Sequence, residues 1–250
     1  MTLNVIWMLW VRQLKRYMRS RARIVASLGQ PLLYLVALGF GFGPVFQRAG
    51  QGSYLEFLAP GVIAMTILFT AIFSGIELIW DRQFGFLKET LVAPVPRLTI
   101  MIGRTLGGAT VAVIQGLIVA IACLIVGVRI NDLSGMPHAF AFMALVAVMF
   151  TALGTAFASM MEDFQGFQLV MNFLVLPIFF LSGALFPLEN VPRLLGFIAA
   201  IDPLSYGVDG LRYALTGAAH FSLAADYAVL GGLTALLLWG GSVLFSRIQV

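Results

Sequence analysis

The residues best equipped for chemistry lie in one polar island, WDRQFGFLKETLVAPVPRLTIMIGR, Trp80–Arg104, set between two long apolar runs. Asp81, Arg82, Lys88 and Glu89 place both signs of charge close together, ahead of a Pro-x-Pro break at Pro94 and Pro96. Phe84, Leu87 and Leu91 fall at i, i+3 and i+7, so a short helix here would carry an apolar side and a charged side suited to a groove on another protein. A solvated turn ended by proline is the plainer alternative. Glu77 is the only acid well inside an apolar run. A carboxylate at that depth either pairs with a cation, such as Arg82 or a basic residue of the N-terminal segment, or relays protons. Asp226 falls at the outer mouth of the last apolar run and is expected to be solvated.

Other chemistries lack their residues. No G-x-x-x-x-G-K-[ST] is present, and of the two lysines, Lys15 and Lys88, neither follows a glycine-rich loop. The chain therefore does not bind ATP in the P-loop manner, and any active transport needs energy from a partner. His138 and His220 stand apart from other ligands, which argues against a metal site. Cys123 lies alone within an apolar run, so no disulfide is expected.

Sixty per cent of the 250 residues are hydrophobic, 10% are charged, and the mean hydropathy is +0.98. Such a chain cannot cover a soluble surface. The net charge of +4 comes from residues flanking apolar runs, which orients helices in a bilayer and is no nucleic-acid footprint. Six spans are expected, near 24–46, 58–80, 105–128, 139–160, 167–186 and 223–245, each long enough to cross ~30 Å of hydrocarbon. Of the 15 Lys and Arg residues, only Arg48, Arg129, Arg193 and Arg212 fall on the outer side if the N-terminus is inside. The positive-inside rule thus puts both termini in the cytoplasm.

Residues 1–23 carry Arg12, Lys15, Arg16, Arg19, Arg21 and Arg23 without an acid, while Leu3, Ile6, Trp7, Trp10, Leu14, Tyr17 and Met18 share another helical face. This reads as an amphipathic helix in the headgroup zone, with its cations toward anionic lipid or a protein. Segment 187–222 is long and partly apolar, and Asp202-Pro203 divides it into two stretches too short to span. An outer re-entrant helical hairpin satisfies its backbone better than a bare loop at that depth. A loop lying flat on the membrane is the alternative. The fold class is therefore all-α integral membrane, a single domain over 1–250, with a cytoplasmic loop at 81–103.

FGFLKETLVAPVPRLTIMIGRTLGGATVAVIQGLIV and LSGALFPLENVPRLLGFIAAIDPLSYGVDGLRYALTG resemble segments of the membrane subunits of type-2 ABC exporters. The ETLVAPVPR form is most similar to the daunorubicin-resistance and nodulation-export branches. The resemblance spans essentially the whole chain. It implies a half-transporter that is not itself an enzyme. Two copies of a separate ATP-binding-cassette ATPase, holding ATP and Mg, would join this subunit and a second copy or close paralogue in the bacterial or archaeal cytoplasmic membrane. It also implies a coupling helix near Phe84–Ala93, ended by Pro94, with Lys88, Glu89 and Thr90 as polar contacts and Arg97 beside it. The amphipathic helix would be a second contact with the ATPase.

Spans two and five line the route in that family, which points to Asn172, Phe173, Phe179 and Phe180 as solute contacts. Packing between helices or against lipid is the alternative for each ring. The glycines at 39, 41, 43, 103, 107 and 108 suit close helix approach. The implied cargo is an amphipathic or lipid-like solute: a drug, lipid or glycolipid. Alternatives are a polysaccharide or lipo-oligosaccharide carried by the same machine, a lipid transferase built on Glu189, Arg193, Asp202, Asp209, Arg212 and His220, and a membrane scaffold that transports nothing.

Overall fold

The structure is a computed structural model describing residues 2–49, 52–87, 90, 95–129, 133–189 and 191–246. Ten α-helices are labelled in chain order: α1 (Thr2–Arg19), α2 (Arg21–Arg48), α3 (Tyr54–Phe73), α4 (Ile76–Gln83) and α5 (Arg97–Val126) are followed by α6 (Met136–Met160), α7 (Phe164–Leu181), α8 (Arg193–Ile201), α9 (Pro203–Thr216) and α10 (Leu223–Ser246). No strand occurs among the described residues. Among the described residues, six helical segments are long and apolar enough to cross a membrane: Ile24–Arg48, Tyr54–Gln83, Arg97–Val126, Leu133–Met160, Phe164–Leu181 and Leu223–Leu244.

Spans two, three and four form the core, and α3 is buried along most of its length from Leu58 to Ile72. Spans one, five and six lie around them and leave most of their apolar surface uncovered. That surface faces lipid or another chain, since hydrocarbon solvates it as well as a protein interior does. Span two is broken between α3 and α4 at Ser74 and Gly75. The break sits where glycines bring backbones together. A Cβ on Gly75 would lie 2.5 Å from the Gly154 carbonyl oxygen, and one on Gly154 would strike the Ile72 carbonyl. Gly108 of span three meets Ser74 and Thr151 at the same level.

The other glycines divide. Gly103 faces Leu9 and Ile6, and Gly107 faces Gln13, so this i, i+4 pair forms a groove in which α1 lies along α5. Trp10 Nε1 locks that contact by donating to Thr110 Oγ1 at 3.0 Å. Gly39 meets Leu55, but Gly41 and Gly43 approach nothing within the chain.

Helices α8 and α9 form a bent pair, meeting at 88° across Asp202. Pro203 cannot donate a backbone hydrogen bond and opens α9, while Asp202 Oδ1 accepts from Leu204 N at 2.9 Å as its cap. Asp202 is buried, held by that bond to Leu204 N. Gly217 ends α9 at φ +78°. The Asp209 carboxylate then accepts from the N–H groups of His220 (2.8 and 3.0 Å) and Phe221 (2.7 Å), folding the exit segment back onto α9. Asp209→Ala leaves those donors without acceptors. It is expected to cost about 1–3 kcal/mol, read as a lower thermal midpoint and faster proteolysis at 217–222.

One expectation about charge is corrected. Asp226 is fully buried, because the first turn of α10 packs on both α6 and α9, and neither carboxylate oxygen finds a hydrogen-bond partner among the described residues. Arg212, for which no exposure was expected either way, is buried: its guanidinium lies 4.2 Å from the centre of the Phe57 ring and donates to the Gly183 carbonyl at 2.9 Å. Apolar rings and a backbone acceptor replace the water that an outer loop would have supplied.

Candidate functional site

Helices α1, α4 and α5 converge on one carboxylate. Asp81 Oδ1 accepts from Arg12 Nη2 at 2.7 Å and Oδ2 from Arg12 Nη1 at 3.1 Å, a bidentate pair. Arg104 Nη2 donates to Asp81 Oδ2 at 2.6 Å from the opposite side. One turn earlier on α4, Glu77 Oε2 accepts from Arg16 Nη1 at 3.3 Å. Arg12 and Arg16 are four apart on α1, and Glu77 and Asp81 are four apart on α4. Each pair therefore shares a helix face, and the two faces meet in reverse order. Of the two fates open to Glu77, pairing with the N-terminal helix is the one observed.

Burial sets the weight of this cluster. Asp81 is 3% exposed and Arg104 8% exposed, whereas Arg12 and Arg16 reach solvent. A carboxylate that deep requires full compensation, which one surface arginine could not give. Arg104 supplies the rest, so it belongs to the interior and not to the inner loop where its charge had placed it. Within the expected loop 81–103, α4 runs through Gln83 and α5 begins at Arg97.

The segment that follows α4 is tied to the same cluster. Phe86 lies under the Arg12 guanidinium, 3.6 Å from ring centre to Cζ. Thr90 Oγ1 donates to the Phe86 carbonyl at 3.0 Å. Phe84 is exposed before a glycine turn at Gly85 (φ +80°), while Leu87 is fully buried in the chain's own core. Of the expected apolar side, Phe84 therefore faces outward and Leu87 does not. Lys88, Glu89 and Leu91 lie outside the described residues. Arg97 is half-buried at the start of α5. Arg82 Nη1 donates to the Met161 carbonyl at 3.1 Å, fastening span two to the turn between spans four and five.

Beside the cluster is a cavity of about 390 Å³ between α1, α2, α3, α4 and α5. Gln13, Tyr17, Ser27, Gln30 and Gln115 give it a polar side, and Phe69, Phe73, Trp80 and Phe164 an aromatic one. Gln115 Nε2 donates to Ser27 Oγ at 2.6 Å. The Tyr17 hydroxyl and Gln115 Oε1 are buried next to one another, with no other hydrogen-bond partner among the described residues. Burial raises the Tyr17 phenol, and the nearby Gln115 amide opposes part of that rise.

The four span-five candidates lie elsewhere. Phe173 and Phe180 are on the open side of α7, with Asn172 half-buried at its edge. Phe179 is buried, edge-on to Tyr34 with ring centres 6.2 Å apart. None of the four lines the cavity, whose single span-five residue is Phe164. Reading the sequence also missed Arg104 and Phe86. The signal for Arg104 was a lone arginine just inside an apolar helix, twenty-odd residues from the acid that neutralises it.

The family described as ABC-2 type transporter matches residues 4–216, from α1 through α9. The chain belongs to the ABC-2 type transporter family. Nodulation protein J of Rhizobium leguminosarum bv. viciae is 28% identical over 226 residues, covering 86% of each chain. The inner membrane transport permease YadH of Escherichia coli K12 is 27% identical over 228 residues, 89% of this chain and 87% of its own. A putative transport permease ycf38 of Porphyra purpurea is 35% identical over 202 residues, 78% of this chain and 68% of its own. The ABC-2 chain is thus a multi-pass membrane permease subunit, in a family that works with an ABC ATPase partner.

Proposed function

We propose that this ABC-2 subunit is the passive membrane half of an exporter. It moves an amphipathic or lipid-like solute outward across the cytoplasmic membrane, with both of its termini inside. Two copies of a separate ATPase hold ATP and Mg, and a second copy of this chain or a close paralogue completes the route. The observation that carries this reading is the Asp81 cluster. It joins the amphipathic helix, span two, span three and the start of the coupling segment through buried charge, so a push on that segment reaches three helices together. Buried ion pairs have few alternative geometries, which suits a lever shifting between two states on nucleotide binding.

Glu89→Arg tests the docking role. The expected result is normal membrane insertion with ATPase copurification and transport both lost, because a reversed charge repels the surface that Glu89 meets. Copurification and transport at normal levels would refute it. A carbohydrate-bearing cargo in the same machine gains support from one feature: Trp80 stacks on Phe164 with ring centres 6.2 Å apart, beside the glutamines of the cavity. Stimulation of the ATPase by glycolipids over hydrophobic drugs would favour that cargo.

A further inference from the structure

Helix α1 leaves one side uncovered by the described residues. Its buried face packs along span three, with Leu9 on Gly103, Gln13 on Gly107 and Trp10 on Thr110. Arg12 and Arg16 turn toward α4, where Asp81 and Glu77 take up their charge. The remaining face presents Leu3, Trp7, Met8 and Met18, which are 61–77% exposed. Lys15 and Arg19 are exposed along its edge, and neither has an acidic partner among the described residues.

An apolar patch of this kind marks a surface that something other than water covers. The place of α1 in the fold decides what that is. Gly103, Gly107 and Thr110 lie in the first half of a membrane-crossing helix, and only Ser20 separates α1 from the helix of span one. Both attachments hold α1 at the edge of the hydrocarbon, where tryptophan rings and the stems of lysine and arginine partition. Lipid reaches that level without displacing anything, whereas a soluble protein has to push lipid aside.

The charges define which lipid. An open depression of about 590 Å³ runs along the face from Trp7 to Arg19. Trp7, Met8 and Val11 form its apolar side, and the cations at 12, 15, 16 and 19 form the other. With Arg12 and Arg16 already met by acids of α4, Lys15 and Arg19 are the charges left over. They are four apart on one helix face, close enough to share the oxygens of one phosphodiester. Helix α1 contains no acid, so nothing there offsets the ammonium of a zwitterionic head group.

We propose that this face of α1 is a binding site for an anionic phospholipid, with the phosphate between Lys15 and Arg19 and the first part of an acyl chain along Trp7, Met8 and Val11. The site goes beyond the export reading, and binding there needs no ATPase.

The full-length protein carrying Trp80→Phe and Trp239→Phe keeps Trp7 and Trp10 as its only indoles, and with them the Trp10–Thr110 bond. It is placed in phosphatidylcholine nanodiscs that contain increasing fractions of phosphatidylglycerol brominated on its acyl chains, whose bromines quench a neighbouring indole. The expected result is quenching that saturates at a low fraction of phosphatidylglycerol. Phosphatidylcholine brominated in the same way quenches only in proportion to its share of the bilayer. Lys15→Gln with Arg19→Gln alters two exposed side chains and leaves the fold intact. It raises the half-saturating fraction on the order of ten- to thirtyfold, roughly fivefold for each cation.

Proportional quenching that is alike for the two head groups, or selectivity unchanged in the double variant, overturns the proposal. The ATPase subunit, added last, leaves the selective quenching in place. If it abolishes that quenching, the face is a protein contact and the lipid assignment fails. Because selectivity is read before any ATPase is present, its failure leaves the Glu89→Arg test of coupling untouched.

Discussion

Asp81→Ala is expected to abolish recovery of folded protein from the membrane, with a destabilisation of about 3–5 kcal/mol, the range for removing one partner of a buried ion pair. The loss of attraction is the smaller part. Arg104 would remain 8% exposed with no anion to meet it, since its described carboxylate contact is Asp81. A guanidinium cannot discharge itself at any accessible pH, so it stays charged in a low-dielectric site. The double substitution Asp81→Leu with Arg104→Leu separates stability from coupling. Removing both charges restores the yield of monodisperse protein, because apolar packing replaces a buried pair at little or no cost. Transport stays lost, because Arg12 no longer has its carboxylate and the weaker Arg16–Glu77 contact alone remains between α1 and α4. Recovery of transport in the double variant would show the cluster to be packing alone.

Gly154→Leu is expected to be equally severe for a different reason. At Gly75 and Gly154 the backbones of spans two and four touch, and the first atom of any side chain at Gly154 meets the Ile72 carbonyl. A flexible side chain could swing away, but a carbonyl within a helix cannot move without breaking its ladder. Gly154→Ala costs about 1–3 kcal/mol as an overpacked core does, and Gly154→Leu separates the helices and ends expression of folded protein. Gly41→Leu is the control, because a side chain there meets nothing within the chain. Fluorescence-detected size exclusion of the three variants measures this. Equal profiles for Gly154→Leu and Gly41→Leu would remove the contact from the account.

These two sites show what could be read from the sequence and what could not. Apolar length gave the number and order of the spans, and Asp202-Pro203 gave the bend between α8 and α9, because hydrocarbon thickness and proline geometry are local constraints. Span three was expected from residue 105 because Arg104 is charged. It begins at Arg97, since Asp81 neutralises that charge from another helix. Asp226 was placed in water for the same reason, and its burial depends on how α6 and α9 pack. Glycine positions could be listed but not sorted: Gly41 and Gly154 look alike in sequence, and only one of them meets a carbonyl. The cavity had no local signature, since Tyr17, Gln30 and Gln115 come from three helices.

The central claim is that this chain carries no motor and takes its energy through the segment following Asp81. It is tested most directly in proteoliposomes, by following ATP hydrolysis and solute movement first with the purified chain alone and then with its P-loop ATPase subunit added. The expected result is neither activity alone, both together, and loss of movement when the chain carries Glu89→Arg. Hydrolysis or solute accumulation by the chain alone, or movement unaffected by Glu89→Arg, would contradict it.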